Sequence, residues 1–155
     1  MAAPRQLPIY CVRKDYKVLS LTFDAAWGNE DTQQLIDILG KYNVKATFFV
    51  VGGWADKYPE SVKALHDAGH EVMSHSDSHA HFNSLSTDEI IAARVTGRAR
   101  PGSIVLFHNA AIHTPEALPG IIEALLREGY QLVPVSRLII TGSYTIDHTG
   151  RQCPA

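Results

Sequence analysis

Cysteine is scarce in this chain: Cys11 and Cys153, near the two ends, are the only two. One staple between them is conceivable, and two free thiols are the expectation, so the fold must stand on its core. An excess of one charge is also missing. Lys and Arg total 14 against 16 Asp and Glu, a formal net charge of −2. No basic field is available to hold a nucleic-acid backbone or an anionic membrane, and electrostatics favours a neutral partner. No apolar run approaches the roughly 18 residues of a membrane span, and "MAAPRQLPIY" lacks the apolar centre of a signal peptide, so the sequence predicts a soluble chain. What is present is 155 residues with 45% hydrophobic content, enough for one core and too short for two well-packed domains.

The pattern alternates strand and helix. "KVLSLTF" (17–23) is a short apolar run that stops at Asp24, and reads as a buried strand. From Asp31 to Tyr42, Leu35, Ile36 and Leu39 recur at helical spacing, with Asn29 offered as the N-cap. "KATFFVVGG" has the unbroken aromatic and β-branched character of a parallel strand covered on both faces, closed by its glycine pair. Pro59 opens and Gly69 stops a further helix, and "HEVMSH" makes the third strand. Ser86 and Glu89 have capping-box spacing, which predicts a helix from about Thr87 to Val95 ended by Gly97. "GSIVLFHN" is the fourth strand; a helix opened by Thr114 and Pro115 follows, in which Pro119 is harmless only in or near the first turn. "YQLVPVS" is the fifth strand, with Pro134 at its edge or end, and 141–155 shows no clear period and reads as a tail. Residues 1–16 read as an N-terminal extension and 17–140 as the domain. The expected architecture is a parallel α/β layer.

Sites in such layers gather where strand C-termini meet the following loops. Asp24, Trp54, His75, His79, His108 and Asn109 all fall at or just beyond such ends. His75 and His79, four apart, project to one side of a helical turn and can bind one ion through imidazole nitrogen, whereas His81 cannot easily join them; the alternative is a polar surface loop. Asp24 alone is as good a turn residue as a base, and His108 alone as good a half-buried structural group. Together the strand ends supply a carboxylate, a histidine pair and a single histidine, the inventory of metal-assisted hydrolysis. Trp27 and Trp54 either stack on sugar faces at this rim or serve as partly buried packing residues. His66, His70, His113 and His148 read as structural or solvated.

"LTFDAAWGNEDTQQLIDILGKYNVKATFFVVG", "HEVMSHSDSH" and "RPGSIVLFHNAAIHTPEALPGIIEALLREGYQLVPVSRLI" together resemble a polysaccharide deacetylase of the NodB-homology type, carbohydrate esterase family 4. "FDAAWGNEDT" and "FHNAAIHTPEALPGI" are similar to its sporulation-associated PdaB-like branch. The resemblance implies a distorted barrel of seven or eight strands, a divalent metal, usually described as zinc or cobalt and here expected to be zinc, and hydrolysis of the N-acetyl amide of an amino-sugar polymer such as peptidoglycan or chitin. It implies an extracytoplasmic, cell-wall or spore setting. Residue by residue, Asp24 matches the general base, His75 and His79 the metal histidines, Ser76 the hydroxyl that braces their loop, and His108 the acid that protonates the departing amine. Leu106 matches the residue walling the acetyl pocket; Leu106 and Asn109 join Trp27 and Trp54 as the implied substrate-binding set.

The sequence departs from the family pattern in two places. The position of the family's third metal ligand, a second aspartate, holds Ala25, and a methyl cannot ligate, so the zinc site is expected to be weak. Between about 90 and 101 one short helix replaces roughly two strand-helix units, and with them an orienting arginine and the aspartate that tunes the acid histidine. Arg94, Arg98 and Arg100 inherit no role. The barrel is therefore expected to be incomplete: either a gap remains, or the third strand pairs directly with "SIVLF". A bared edge invites self-association. Activity is expected to be weak or lost. A non-catalytic glycan-binding module is the first rival reading, a flavodoxin-like or receiver-like domain the second; the second lacks a phosphate-cradling glycine loop after strand one.

Overall fold

In the computed structural model, residues 7–75, 88–108 and 113–155 are described. The first large strand of the chain, β2 (Val18–Ala25), is buried along its whole length. On one edge it pairs with β3 (Thr47–Val50), which carries β4 (Glu71–Ser74) beyond it; on the other it pairs with β5 (Ile104–His108). The short β6 (Gln131–Leu132) joins β2 at Val18 and Leu19, and all these pairings are parallel. This is the expected parallel α/β layer. Among the described residues β4 and β5 are its two edges, so the shortened middle of the chain leaves a gap: "SIVLF" pairs with the first strand of the layer, not with "HEVMSH".

Register decides which side chains share a face. Phe23 stands opposite both Phe48 and Phe107, and Phe48 opposite Val72. Their rings stack at 4.9 Å (Phe23–Phe48) and 5.2 Å (Phe23–Phe107) beneath the helices. The helices over this face are α1 (Thr32–Lys41), α3 (Pro59–Asp67), α4 (Asp88–Arg98) and α5 (Thr114–Arg127). Leu35, Leu39, Leu65, Leu118, Ile121, Ile122 and Leu125, all fully buried, supply their side of the core. At about 1.5–3 kcal/mol for each large apolar side chain removed from water, this face is the principal source of stability.

Several local expectations are corrected. The N-cap position of the helix at 32 is held by Asp31, without a side-chain capping bond, and not by Asn29, whose side chain donates to the Ser61 hydroxyl (3.0 Å). The glycine pair does not close β3 but opens α2 (Gly52–Lys57). Gly97 lies inside α4, which runs on to Arg98. Pro119 lies beyond the first turn of α5. It removes one helix hydrogen bond that burial of the neighbouring Leu118 and Ile121 must offset. Gly69, at φ 81°, does terminate α3, and Pro134 ends β6 and caps the single turn α6 (Val135–Leu138).

The segment read as a tail is structured. β7 (Tyr144–Ile146) and β8 (Arg151–Pro154) form an antiparallel hairpin, and β8 pairs in parallel with β1 (Cys11–Val12), from the segment read as an N-terminal extension. Gln152 has no amphipathic period around it, yet it is 1% exposed and clamps Ile140 by both its amide N–H and its carbonyl (2.9 and 2.8 Å). Val12, Val18 and Leu138 form a second small core there. The two cysteines are free thiols, as expected. Cys11 stands opposite Arg151 rather than Cys153, and a diagonal pair across a sheet is too far apart to bridge.

Candidate functional site

The opposite face of the sheet holds the site. Strand alternation puts Ser20, Thr22 and Asp24 of β2 on this face, with Asp24 directly opposite Phe49 on one side and His108 on the other, and Phe49 opposite Met73. His75, one residue past β4, is tied to β3 by its amide donating to the Val50 carbonyl (2.8 Å). Three strand ends thus deliver a carboxylate and two imidazoles to one rim.

Asp24 is the buried member, its side chain 6% exposed; His75 (32%) and His108 (44%) stand between it and solvent. Oδ2 of Asp24 lies 3.1 Å from Nε2 of His75 and 3.9 Å from Nε2 of His108. A carboxylate at that depth is tolerated only with charged or hydrogen-bonding neighbours, and the imidazoles supply them. The arrangement puts Asp24 within hydrogen-bond distance of His75, leaves His108 a short step further off, and can present a polar rim to a neutral ligand. Phe49 packs beside His75 (centroids 6.5 Å apart) and Trp27 beside His108 (6.2 Å).

Of the residues that the sequence singles out, Asp24, His75 and His108 converge, and Trp27 lies half-buried beside them. Leu106 is on the same face and 52% exposed. Trp54 is a correction: it is 3% exposed, and its indole N–H donates to the carbonyls of Trp27 (2.7 Å) and Gly28 (2.9 Å). It therefore braces the loop after β2 and cannot stack on a sugar. His79, Ser76, His81 and Asn109 lie outside the described residues. Phe49 and Met73 were missed; period-two alternation in β3 and β4, counted from Asp24 through the pairing register, is the signal that finds them.

The lower part of this face is locked. Glu71 accepts from the Thr47 hydroxyl (2.7 Å) and from the Ser136 amide (3.3 Å), while the Val135 amide donates to Thr47 Oγ1 (2.9 Å), fastening α6 across the N-terminal ends of β3 and β4. Burial pulls the Glu71 carboxyl up, but these hydrogen bonds outweigh it and hold it below its usual range. His70, 5% exposed, accepts the Ala46 amide at Nδ1 (3.2 Å), and burial pushes it down to about 4, aided by Lys45. It is a neutral core residue, the structural one of the two readings, structural or solvated, that the sequence leaves open.

The metal that the fold family implies is not met by the described residues alone. Among them no group of three His, Cys, Asp or Glu is arranged to hold a metal ion, the converging Asp24, His75 and His108 included, and Ala25, at the third-ligand position, is 2% exposed with its methyl in the helix-side core. Arg94 and Arg98 lie on α4, and Arg100 lies just ahead of β5, the strand whose far end carries His108.

Residues 12–96 match the polysaccharide deacetylase family model. Peptidoglycan-N-acetylmuramic acid deacetylase PdaC of Bacillus subtilis is 28% identical over 185 positions, covering 82% of this chain and 40% of that protein. Because the alignment is longer than the chain, the relative carries positions with no counterpart here. An uncharacterized Bacillus subtilis protein, YlxY, is 36% identical over 83 residues, 54% of this chain and 26% of its own length. The chain thus spans well under two thirds of these relatives. Among solved structures, a CE4-family pseudoenzyme from Bacillus anthracis matches with a TM-score of 0.77 at 26% identity, covering 84% of this chain and 68% of that one. With a parallel layer whose strand ends bring together Asp24, His75 and His108, and a family model matched over more than half its length, the chain belongs to the polysaccharide deacetylase family.

Proposed function

We propose that the chain is a hydrolase of amide carbon-nitrogen bonds, removing N-acetyl groups from an amino-sugar polymer of the peptidoglycan or chitin type, with turnover far below that of a complete site. The single observation carrying this reading is the buried Asp24 side chain, within 3.1 and 3.9 Å of two more exposed imidazoles from two other strand ends. In the reaction, water adds to the acetyl carbonyl as Asp24 takes its proton. The carbon-nitrogen bond then breaks as His108 protonates the nitrogen, giving acetate and a free amine. A basic amine cannot leave unprotonated, so the more exposed imidazole has the acid's place. Trp27 and Leu106 flank the sugar and the acetyl methyl. His75, with His79 beyond the described residues, would hold a divalent metal, zinc in this reading, which would supply carbonyl polarisation and a more acidic water when bound; with Ala25 in place of a ligand its retention would be poor. Relatives named as peptidoglycan deacetylases support the substrate class, and with it the proposal of a cell-wall or spore setting.

The strand-helix units that would bring an arginine to Asp24 and an aspartate to His108 have no counterpart in the sequence, so both groups are positioned less firmly than in a complete site. Mispositioning of about an ångström costs on the order of 100-fold in rate. The pseudoenzyme neighbour favours a second reading, a glycan binder without turnover. The test measures acetate released from N-acetylated glycan with added zinc, for the natural chain and for Asp24→Asn. Slow release abolished by the substitution and by a chelator supports the hydrolase; glycan retention unchanged by Asp24→Asn, with no acetate from either protein, replaces it with the binder.

A further inference from the structure

Among the described residues the sheet has two bare edges, and they match each other. In a parallel ladder alternate residues turn their backbone groups to each neighbour. Glu71 and His75 donate to Ala46 and Val50 of the β3 side, which leaves the groups of Val72 and Ser74 pointing away from the sheet. Ser103 accepts from Ser20 of β2, so by the same alternation Ile104 and Leu106 point outward from β5. On the inner face these edges carry Met73 and Leu106, large apolar side chains that are 53% and 52% exposed. Two such side chains at parallel sheet edges are an association surface.

We propose that a second copy of this chain closes the open side: the β4 edge of each copy pairs with the β5 edge of the other, about a twofold axis running along the strands. Pairing is then parallel throughout, as within each copy, and both contacts recur by symmetry. The path β4-β3-β2-β5 contributes four strands per copy. Two copies give eight, the number at which a barrel interior is just filled by side chains. α6 stays at the N-terminal ends of the strands, so the half that closes is the one carrying Phe49, Met73, Leu106 and Asp24. Charge favours the same partner. The helix layer runs α3, α1, α5, α4, so closure sets α4 of one copy beside α3 of the other. Arg94, Arg98 and Arg100 are exposed on the first flank; Glu60 and Asp67 are exposed on the second, where Lys63 already engages Asp67. The net charge of −2 gives the copies little mutual repulsion. Closure would set a second copy beside the Asp24 rim, on the side where the described residues of one copy end, whether or not that rim turns over a substrate.

Sedimentation equilibrium of the full chain, from low to high micromolar concentration, tests this together with amide exchange. The expected result is a species of twice the 17.0 kDa chain mass, with the Val72, Ser74 and Leu106 amides protected in proportion to the paired fraction. Met73→Lys, which desolvates a charge in the pair, and Ser74→Pro, which removes an outward N–H on an edge strand that tolerates proline, each raise the dissociation constant at least about tenfold. Their secondary structure stays that of the natural chain. A 17.0 kDa species at every concentration with those amides exchanging freely overturns the proposal. So does open-ended growth beyond the pair, or a dimer indifferent to both substitutions.

Discussion

Asp24 and Ala25 are adjacent in sequence and opposite in consequence. Asp24 turns to the inner face and meets two imidazoles; Ala25 turns its methyl into the helix-side core. A carboxylate at 25 must leave that core or remain buried without a cation. Ala25→Asp is therefore expected to melt several degrees lower than the natural chain in chelator, and to recover most of that loss in zinc while retaining more zinc through gel filtration; thermal melts with metal analysis check both. His70 gives a pH prediction. Its folded value, about 4, lies below the 6.5 of an unfolded histidine. The unfolded chain thus binds more protons between these values: its contribution is complete above pH 6.5 and is lost as pH falls toward 4. Denaturation at pH 7 and pH 5 should differ by about 2 kcal/mol from this group. His70→Phe should remove that part of the slope at the cost of the Ala46 hydrogen bond, and an unchanged slope would show that His70 is not its source.

Among the elements, the ones assembled from the chain's ends are the most exacting. Gly102, at φ 84°, lies so close to β1 that a Cβ would sit 1.6 Å from the Val12 carbonyl oxygen. Gly102→Ala cannot be absorbed by a side-chain rotation, because the obstacle is backbone. It is expected to cost at least ~2 kcal/mol and to speed amide exchange at Val12 and Arg13, which β1 holds through Gly102 and Gln152. Gln152→Ala leaves the Ile140 amide and carbonyl without their partner and should cost about 1–3 kcal/mol, read as a lower denaturation midpoint. Periodicity revealed β2 through β5 and the amphipathic α1, α3 and α5, since each has enough residues for a pattern. It could not reveal β1, β7 or β8, which are two to four residues long and gain their stability from one another.

At the scale of the whole molecule, the parallel layer and the end hairpin sheet meet through the small core of Val12, Val18 and Leu138. Removal of 141–155 bares that core but leaves the Phe23–Phe48–Phe107 stack covered by its helices. The shortened chain is expected to be less stable by several kcal/mol in total yet to keep the buried fluorescence of Trp54, which reports the larger core; red-shifted emission at low temperature would show that the two cores fold as one unit. The candidate site was legible where chemistry and strand ends coincide: Asp24, His75 and His108 each close an apolar run, and a parallel layer brings such ends to one rim. Trp54 was illegible because its place beside Asp24 in the rim pattern is the same whether its indole faces solvent or the carbonyls of the loop before it. By itself the sequence determined the alternation of strands and helices, the family and the missing ligand at 25, because these are properties of local pattern and residue identity. Only the tertiary structure decided that "SIVLF" joins β2 and leaves β4 as an edge among the described residues, that Gln152 is a buried clamp, and that Asp24 lies nearer His75 than His108. Pairing and depth depend on which distant surfaces remain to be covered once the larger core has formed, and no local stretch of residues encodes that.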